Sequence, residues 1–231
     1  MKKGDKAKLD FNWWKKNKSM RLRSKTFDTV FRDYMIQKKV NESGKGTEQD
    51  LIDGINMAKS LEREAKALAG KCGIGQKETK AVLEEYVKLF QTEARNMNTL
   101  HNNAGKAAEQ ALKKIETPLK KVAVTISKIN KSMAPLIGNA QMMVDKVGAK
   151  QALVNCDTLR QKLKAEDKMI EACNRSLANF AKSGHMPHLH DGKGKVSKVK
   201  NFADQTQALI VRAEMEIARL ESQINKLATA G

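Results

Sequence analysis

Aromatic residues and proline are scarce in this chain of 231 residues: phenylalanine, tryptophan and tyrosine together make up 4% of it, and three residues are proline. The strands of β-sandwiches and barrels are rich in aromatic and β-branched residues, so this composition argues against those folds. The longest run of apolar residues, Ala208–Val211, is far shorter than the ~20 residues that a membrane-spanning helix needs. No apolar stretch follows the N-terminal lysines, so we expect no secretory signal.

Cysteine is also scarce, and its pattern gives no disulfide framework. The three cysteines, Cys72, Cys156 and Cys173, are an odd number and include no C-x-x-C pair. Cys156 and Cys173 fall on an apolar helical stripe, where a free thiol behaves as a small hydrophobe. This usage indicates a reducing compartment, and we expect a cytoplasmic protein.

Acidic residues are too few to balance the basic ones. The chain has 44 lysines and arginines against 26 aspartates and glutamates, a net charge of +18. Residues 1–40 contain 13 of these basic residues and 4 of the acidic ones, so half of the excess lies near the N-terminus. Such clustering favours an anionic partner, which is nucleic acid, an acidic membrane surface or an acidic protein. The alternative is a basic surface that serves solubility alone.

The spacing of the apolar residues predicts helices throughout. The apolar positions within residues 27–35 recur at the spacing of one helix face. This spacing predicts a first helix from about Thr26 to Val40. Thr47, with Asp50 three residues later, marks the start of a second helix. Glycines within 70–75 end it.

The segment after Gly75 carries the strongest pattern. From Leu83 to Ile115 the apolar positions alternate steps of four and three, as in packed helices. The phase slips by four at Leu119, beside Pro118, which predicts a bend in one long helix. A break within 101–105 is the alternative, because poor helix formers cluster there. Pro135 and Gly138 predict a reversal at residues 134–139.

We therefore expect an all-α fold. It consists of an elongated antiparallel bundle of three long helices (about 76–134, 139–182 and 197–229), with two shorter N-terminal helices and a basic N-terminal arm. The corresponding domains are the arm (1–25), a two-helix segment (26–75) and the long bundle (76–231). Several positions in the apolar seam of the first long helix are alanines, whose small side chains contribute little to a bundle within one chain. This favours contact with a second copy, and we therefore expect a homo-oligomer.

The N-terminal arm mixes basic and aromatic side chains. Trp13 and Trp14 stand between lysines, and four uses fit this mixture: insertion at an anionic membrane surface, stacking on unpaired bases, docking on a neighbouring subunit, or covering the chain's own helices. The candidate docking residues are Lys6, Lys8, Phe11, Trp13, Trp14, Lys15, Lys16, Lys18, Arg21, Arg23 and Lys25.

A second basic stripe lies in the first long helix. Its lysines fall mostly away from the apolar seam, Glu116 alone opposes them, and together they extend over about 27 Å of helix. They are Lys113, Lys114, Lys120, Lys121, Lys128 and Lys131.

Residues 185–191 contain three of the four histidines. His185, His188, His190 and Asp191 are weak candidates for a metal site, because structural zinc sites usually draw ligands from two separated elements. An ordinary polar loop is the favoured interpretation. The chain lacks G-x-S-x-G, H-E-x-x-H and P-loop patterns, so we expect no enzyme activity, no cofactor and no small-molecule substrate.

These observations predict a non-enzymatic structural or scaffold protein. It self-associates through helical seams and docks on an anionic partner or a neighbouring subunit through the arm. The alternatives are a non-specific nucleic-acid-binding protein and a peripheral membrane-binding helical protein.

Overall fold

A computed structural model describes residues 6–16, 24–44, 46–142 and 146–230, with side chains outside 137–147 and 227–230. Helices account for most of these residues, and the described part contains no strand, so the all-α fold class is confirmed. Single 3₁₀ turns occupy Ile74–Gln76 and Met186–His188. The helices are α1 (Phe11–Lys16), α2 (Lys25–Glu42), α3 (Glu48–Gly70), α4 (Lys77–Met142), α5 (Lys146–Ala181) and α6 (Gly192–Ala230).

Capping side chains start helices α2 and α3. The Ser24 hydroxyl accepts a hydrogen bond from the backbone N–H of Phe27 at the start of α2. At the start of α3, the Thr47 hydroxyl accepts from the N–H of Asp50, and the Asp50 carboxylate accepts from the N–H of Thr47. The bond from the Thr47 N–H holds the pKa of Asp50 below its usual value, together with further bonds that the carboxylate accepts from the Thr47 hydroxyl and from Gln37. The predicted start of the second helix is confirmed.

The first compact unit consists of residues 1–108 and 187–190. Within it, α2 runs parallel to the start of α4, since Phe27 contacts Tyr86 and Tyr34 donates to Glu93. In contrast, α3 is antiparallel to α4, since Gly54 faces Met97 and, further along α3, Glu62 accepts a hydrogen bond from Gln91 over 2.8 Å. Six of the sixteen buried residues in the core of this unit are aromatic.

The second compact unit consists of residues 109–186 and 191–231. Here α5 and α6 are antiparallel, with Arg160 bonded to Glu221 and Gln207 bonded to Asp167. The C-terminal half of α4 completes the bundle and runs parallel to α6. Near the start of α6, the Lys195 ammonium donates a hydrogen bond to the Glu109 carboxylate of α4 over 2.9 Å. Apolar residues from all three helices form the core, among them Ile126, Leu163 and Ile217.

Three helix boundaries differ from the sequence prediction, and one of them is the start of α5, which lies at Lys146 rather than at about residue 139. The reversal predicted at 134–139 is wrong, because α4 continues through Pro135 to Met142. Met133, two residues before this proline, is buried, and Leu136, directly after it, is half-buried. The last helix begins at Gly192 rather than at Ser197, with the N–H of Lys195 bonded to the carbonyl of Asp191.

The predicted single long helix is confirmed, since α4 is unbroken through Pro118. Ile115 and Leu119 are buried on either side of this proline, and their packing offsets the lost backbone hydrogen bond. The division of the sequence into segments 1–25, 26–75 and 76–231 stays a prediction.

Candidate functional site

The basic stripe of the sequence forms one exposed side of α4 in the second unit, here called the lysine face. All six of its lysines, Lys113, Lys114, Lys120, Lys121, Lys128 and Lys131, are exposed. The opposite side of the helix supplies Leu119, Val122 and Ile126 to the core, each 1% exposed or less. The heptad seam therefore anchors the helix and directs the lysines outward.

Carboxylates do little to neutralise this surface. Among the described residues, Glu116 is the one carboxylate paired with a member of the lysine face, and it lies 2.7 Å from the Lys120 ammonium. The pair is solvent-exposed, and exposed pairs contribute at most about 1 kcal/mol. An anionic partner can therefore compete with Glu116 for Lys120.

The other side chains on this side of α4 are small or polar. Val124 is 56% exposed, and Thr117 and Ser127 are also exposed. The sequence has no arginine between Arg95 and Arg160, so the surface lacks the planar fork that binds guanine edges in a bidentate manner. Its chemistry is that of a row of point charges, which suits phosphate groups.

The N-terminal segment is packed against the first unit. The Trp14 ring is 1% exposed and makes edge contacts with Tyr86, at 5.5 Å between ring centroids, and tilted contacts with Phe27, at 4.7 Å. Its indole N–H donates to the Asp28 carboxylate over 2.6 Å. Phe11 packs edge-on against Phe31.

Backbone groups of residues 6–10 are also bonded to α4. The N–H of Ala7 donates to the Glu85 carboxylate over 2.7 Å, and the Tyr86 hydroxyl donates to the carbonyl of Lys8 over 2.8 Å. Burial raises the pKa of the Tyr86 hydroxyl, so it stays protonated and able to donate. The described part of the arm is thus a component of the first unit.

This packing bears on Trp14 itself, and the docking of the arm on a partner stays a prediction. Trp14 offers no exposed ring to a lipid headgroup, a base or another subunit, so the use in which it covers the chain's own helices describes it. Trp13 is partly buried against the same core and contacts Tyr86. Lys6, Lys8, Lys15, Lys16 and Lys25 are exposed, whereas Lys18, Arg21 and Arg23 lie outside the described residues.

The histidine loop does not gather its candidate ligands. No group of three metal-binding side chains occurs in the part of the chain that the structure describes. His185 stacks on Phe180, at 6.4 Å between ring centroids, and His190 is exposed. The Asp191 carboxylate lies against the backbone of Gly194 at the start of α6. The buried Nδ1 of His188 has no hydrogen-bond partner among the described residues.

The alanine positions of the α4 seam are covered to different degrees. Ala94 and Ala108 are 7% and 0% exposed, whereas Ala104 and Ala111 are half-buried. Self-association through this seam stays a prediction.

Sequence reasoning missed an exposed apolar side of α6, here called the outer face. Val211 is 48% exposed and Met215 68% exposed, and exposed small residues continue the same line. The outer face comprises Ala208, Val211, Met215, Ala218 and Ser222. The signal was present, because these positions alternate steps of three and four beside the stronger core seam.

Two cysteines and one glutamate of the second unit have pKa values shifted by burial. Burial raises the pKa of the Cys156 and Cys173 thiols, which keeps them protonated and unreactive. Burial also raises the pKa of Glu166, although a hydrogen bond from Thr125 acts in the opposite direction. No helix of the described residues has an apolar stretch sufficient to cross a membrane.

Comparisons of this chain with protein-family models, with curated proteins and with solved structures find no match. The functional argument therefore depends on the chemistry of its own residues.

Proposed function

We propose that this chain is a non-enzymatic, self-associating structural protein of the cytoplasm that binds nucleic acid without sequence selectivity through the lysine face of α4. The observation that carries the proposal is the row of six exposed lysines with a single paired carboxylate. From Lys113 to Lys131 the row extends over about 27 Å of helix. That length corresponds to about eight base pairs of duplex at 3.4 Å each.

A membrane surface is a less suitable partner for this face. Peripheral helices bind by placing a continuous apolar face with Trp, Phe or Leu among the lipid headgroups. On the lysine face, Val124 is the one exposed large apolar side chain among the described residues. Trp14, which the membrane alternative needs, is buried among Phe27 and Tyr86.

An acidic protein is also less suitable. Lysine is depleted in the buried centres of protein–protein interfaces, where aromatic residues, methionine and arginine are enriched. The lysine face contains none of these enriched types. A polymer of phosphates matches it better, because lysine ammonium groups neutralise phosphates and release the counterions condensed on them.

Counterion release predicts a steep dependence of affinity on salt. If all six lysines contact phosphates, the logarithm of the association constant should fall with the logarithm of salt concentration at a slope of about −5. Affinity for a labelled duplex should then fall about 10³-fold between about 50 and 200 mM salt. Fluorescence anisotropy measures this directly.

A triple variant tests the assignment to α4. Lys113, Lys120 and Lys131 are separated by steps of seven and eleven residues, so they share one line along the helix. Changing all three to glutamine should reduce the slope by about 3. The matched control changes Lys162, Lys164 and Lys168 to glutamine, which removes the same charge from exposed positions of α5 in the same unit.

The control should bind with nearly the parental slope, because its lysines are interspersed with carboxylates such as Asp167 and Glu171. Equal losses in the two variants would mean that net charge alone drives binding and would refute the assignment. Binding to vesicles containing anionic lipid, with no binding to duplex, would replace nucleic acid with a membrane surface.

A further inference from the structure

Helix α6 has two apolar faces, and the second unit uses one of them. Its inner face supplies buried residues to the three-helix core, among them Ile210, Ala213 and Ile217, each 1% exposed or less. Its outer face carries Val211 and Met215 into solvent, at 48% and 68% exposure. At 100° per residue the two faces point about 150° apart, so the core helices do not cover the outer face.

The outer face has the spacing of a coiled-coil seam. Its positions follow one another at steps of three, four, three and four, which places Ala208, Met215 and Ser222 at a positions and Val211 and Ala218 at d positions of a heptad. Alanine and serine allow close approach of a second helix, and methionine adapts its shape to an irregular partner. A helix face that only contacts solvent is not expected to keep this heptad spacing.

Charges on the two sides of the outer face are sorted by sign. The e positions beside it are Arg212 and Arg219, and the g positions are Glu214 and Glu221. In a parallel pair of helices a g residue meets the e residue five positions later on the partner, which matches Glu214 with Arg219. In an antiparallel pair, glutamate would meet glutamate and arginine would meet arginine.

The pairs within one chain leave Glu214 and Arg219 available for this contact. Glu221 is already bonded to Arg160 over 2.6 Å, so it stabilises the unit itself. Arg219 has a loose, exposed contact with Glu216 at 4.0 Å. Among the described ion pairs, none involves Glu214.

We propose that a second copy of this chain docks on the outer face of α6, with the two α6 helices parallel and related by a twofold axis. The inference names the surface for the self-association in the proposed function, and it does not depend on nucleic-acid binding. The twofold axis produces the Glu214–Arg219 pair twice. The positions 208–222 extend over about 21 Å, so the contact lies at the small end of specific interfaces and gives a concentration-dependent dimer.

Sedimentation equilibrium of the full chain over about 1–100 μM tests the proposal. The parental protein should show a reversible monomer–dimer equilibrium. Met215→Lys places a charge at the centre of the seam and should raise the dimer dissociation constant at least about tenfold. The matched control is Val154→Lys on α5, a valine 57% exposed in the same unit, and it should leave dimerisation unchanged.

Charge variants test the parallel register without altering the apolar seam. Glu214→Arg alone should dimerise poorly, since arginine then faces Arg219 of the other copy. Arg219→Glu alone should do the same, and an equimolar mixture of the two variants should recover dimerisation as a heterodimer. A parental monomer at all concentrations, a dimer that is insensitive to Met215→Lys, or a mixture that does not recover would each overturn the proposal. Duplex binding is measured separately, so each proposal can fail while the other stands.

Discussion

Replacing Trp14 with alanine is expected to lower the free energy of unfolding of the first unit by about 3–5 kcal/mol. The side chain is 1% exposed and contacts the rings of Phe27 and Tyr86, so its removal leaves a cavity that a six-residue helix is poorly placed to fill. The substitution also removes the hydrogen bond from the indole to Asp28. A domain is stable by about 5–15 kcal/mol in all, so this loss is a large part of the total.

Two further variants separate the contributions to this loss of unfolding free energy. Trp14→Phe keeps an aromatic ring but removes the N–H donor and some volume, and should cost about 1–2 kcal/mol. Asn12→Ala on the exposed side of α1 changes neither the cavity nor this bond, and should stay within about 0.5 kcal/mol of the parent.

Urea unfolding followed by fluorescence provides the assay, because both tryptophans lie in the first unit and Trp13 remains in the variants. Circular dichroism at the same urea concentrations reports the helices of both units. The fluorescence midpoint should fall in Trp14→Ala while the part of the dichroism that comes from the second unit stays in place. A cost below about 0.5 kcal/mol, typical of an exposed site, would refute the conclusion that residues 6–16 belong to the core.

Two further predictions concern the second unit. Burial raises the pKa of Glu166, so the folded state favours the protonated carboxyl. The stability that this group contributes is complete below the ordinary carboxyl pKa, and it is lost as the pH rises through the raised pKa. Glu166→Gln should therefore flatten the fall in urea midpoint between about pH 4 and pH 7, and an unchanged pH profile would contradict this. Pro118→Ala restores the backbone donor that α4 lacks at this position and should raise the thermal midpoint, with a gain of about 1–3 kcal/mol, whereas a loss of stability would mean that the proline ring is itself needed for packing.

Elements whose signals are local could be predicted from the sequence. The reciprocal bonds of Thr47 and Asp50 involve residues three apart, so the start of α3 is visible in the sequence itself. The apolar seams of α4, α5 and α6 are equally local, since each repeats at helical steps. The lysine face follows from the same periodicity, because residues between the core positions must point outward.

The reversal near Pro135 could not be predicted from local signals. Proline and glycine within a few residues usually mark a turn, yet α4 continues through Pro135 and Gly138 as far as Met142. Packing against neighbouring helices decides whether a helix tolerates a proline. Such packing depends on residues that are distant along the chain.

The packing of the N-terminal arm could not be predicted for the same reason. The contacts that bury Trp14 come from Phe27 and from Tyr86, and the bond between Tyr86 and Lys8 joins residues 78 positions apart. The ten aromatic residues are few, but eight of them lie in or against the core of the first unit. Low aromatic content therefore concealed a concentrated aromatic core.

The surfaces left over after folding explain why two separate interactions are proposed for one unit. From Ile115 to Met133 the seam of α4 is buried within the chain, so the surface that this part of α4 offers to a partner is its lysine face. The inner face of α6 is likewise occupied, and α6 offers Val211 and Met215 instead. One surface is charged and one is apolar, so salt should weaken nucleic-acid binding strongly and should affect the apolar part of dimerisation little. A dimer would carry two lysine faces, and binding both to one long duplex would raise the overall affinity without any new contact. Self-association through α6 would thus strengthen the function proposed for α4.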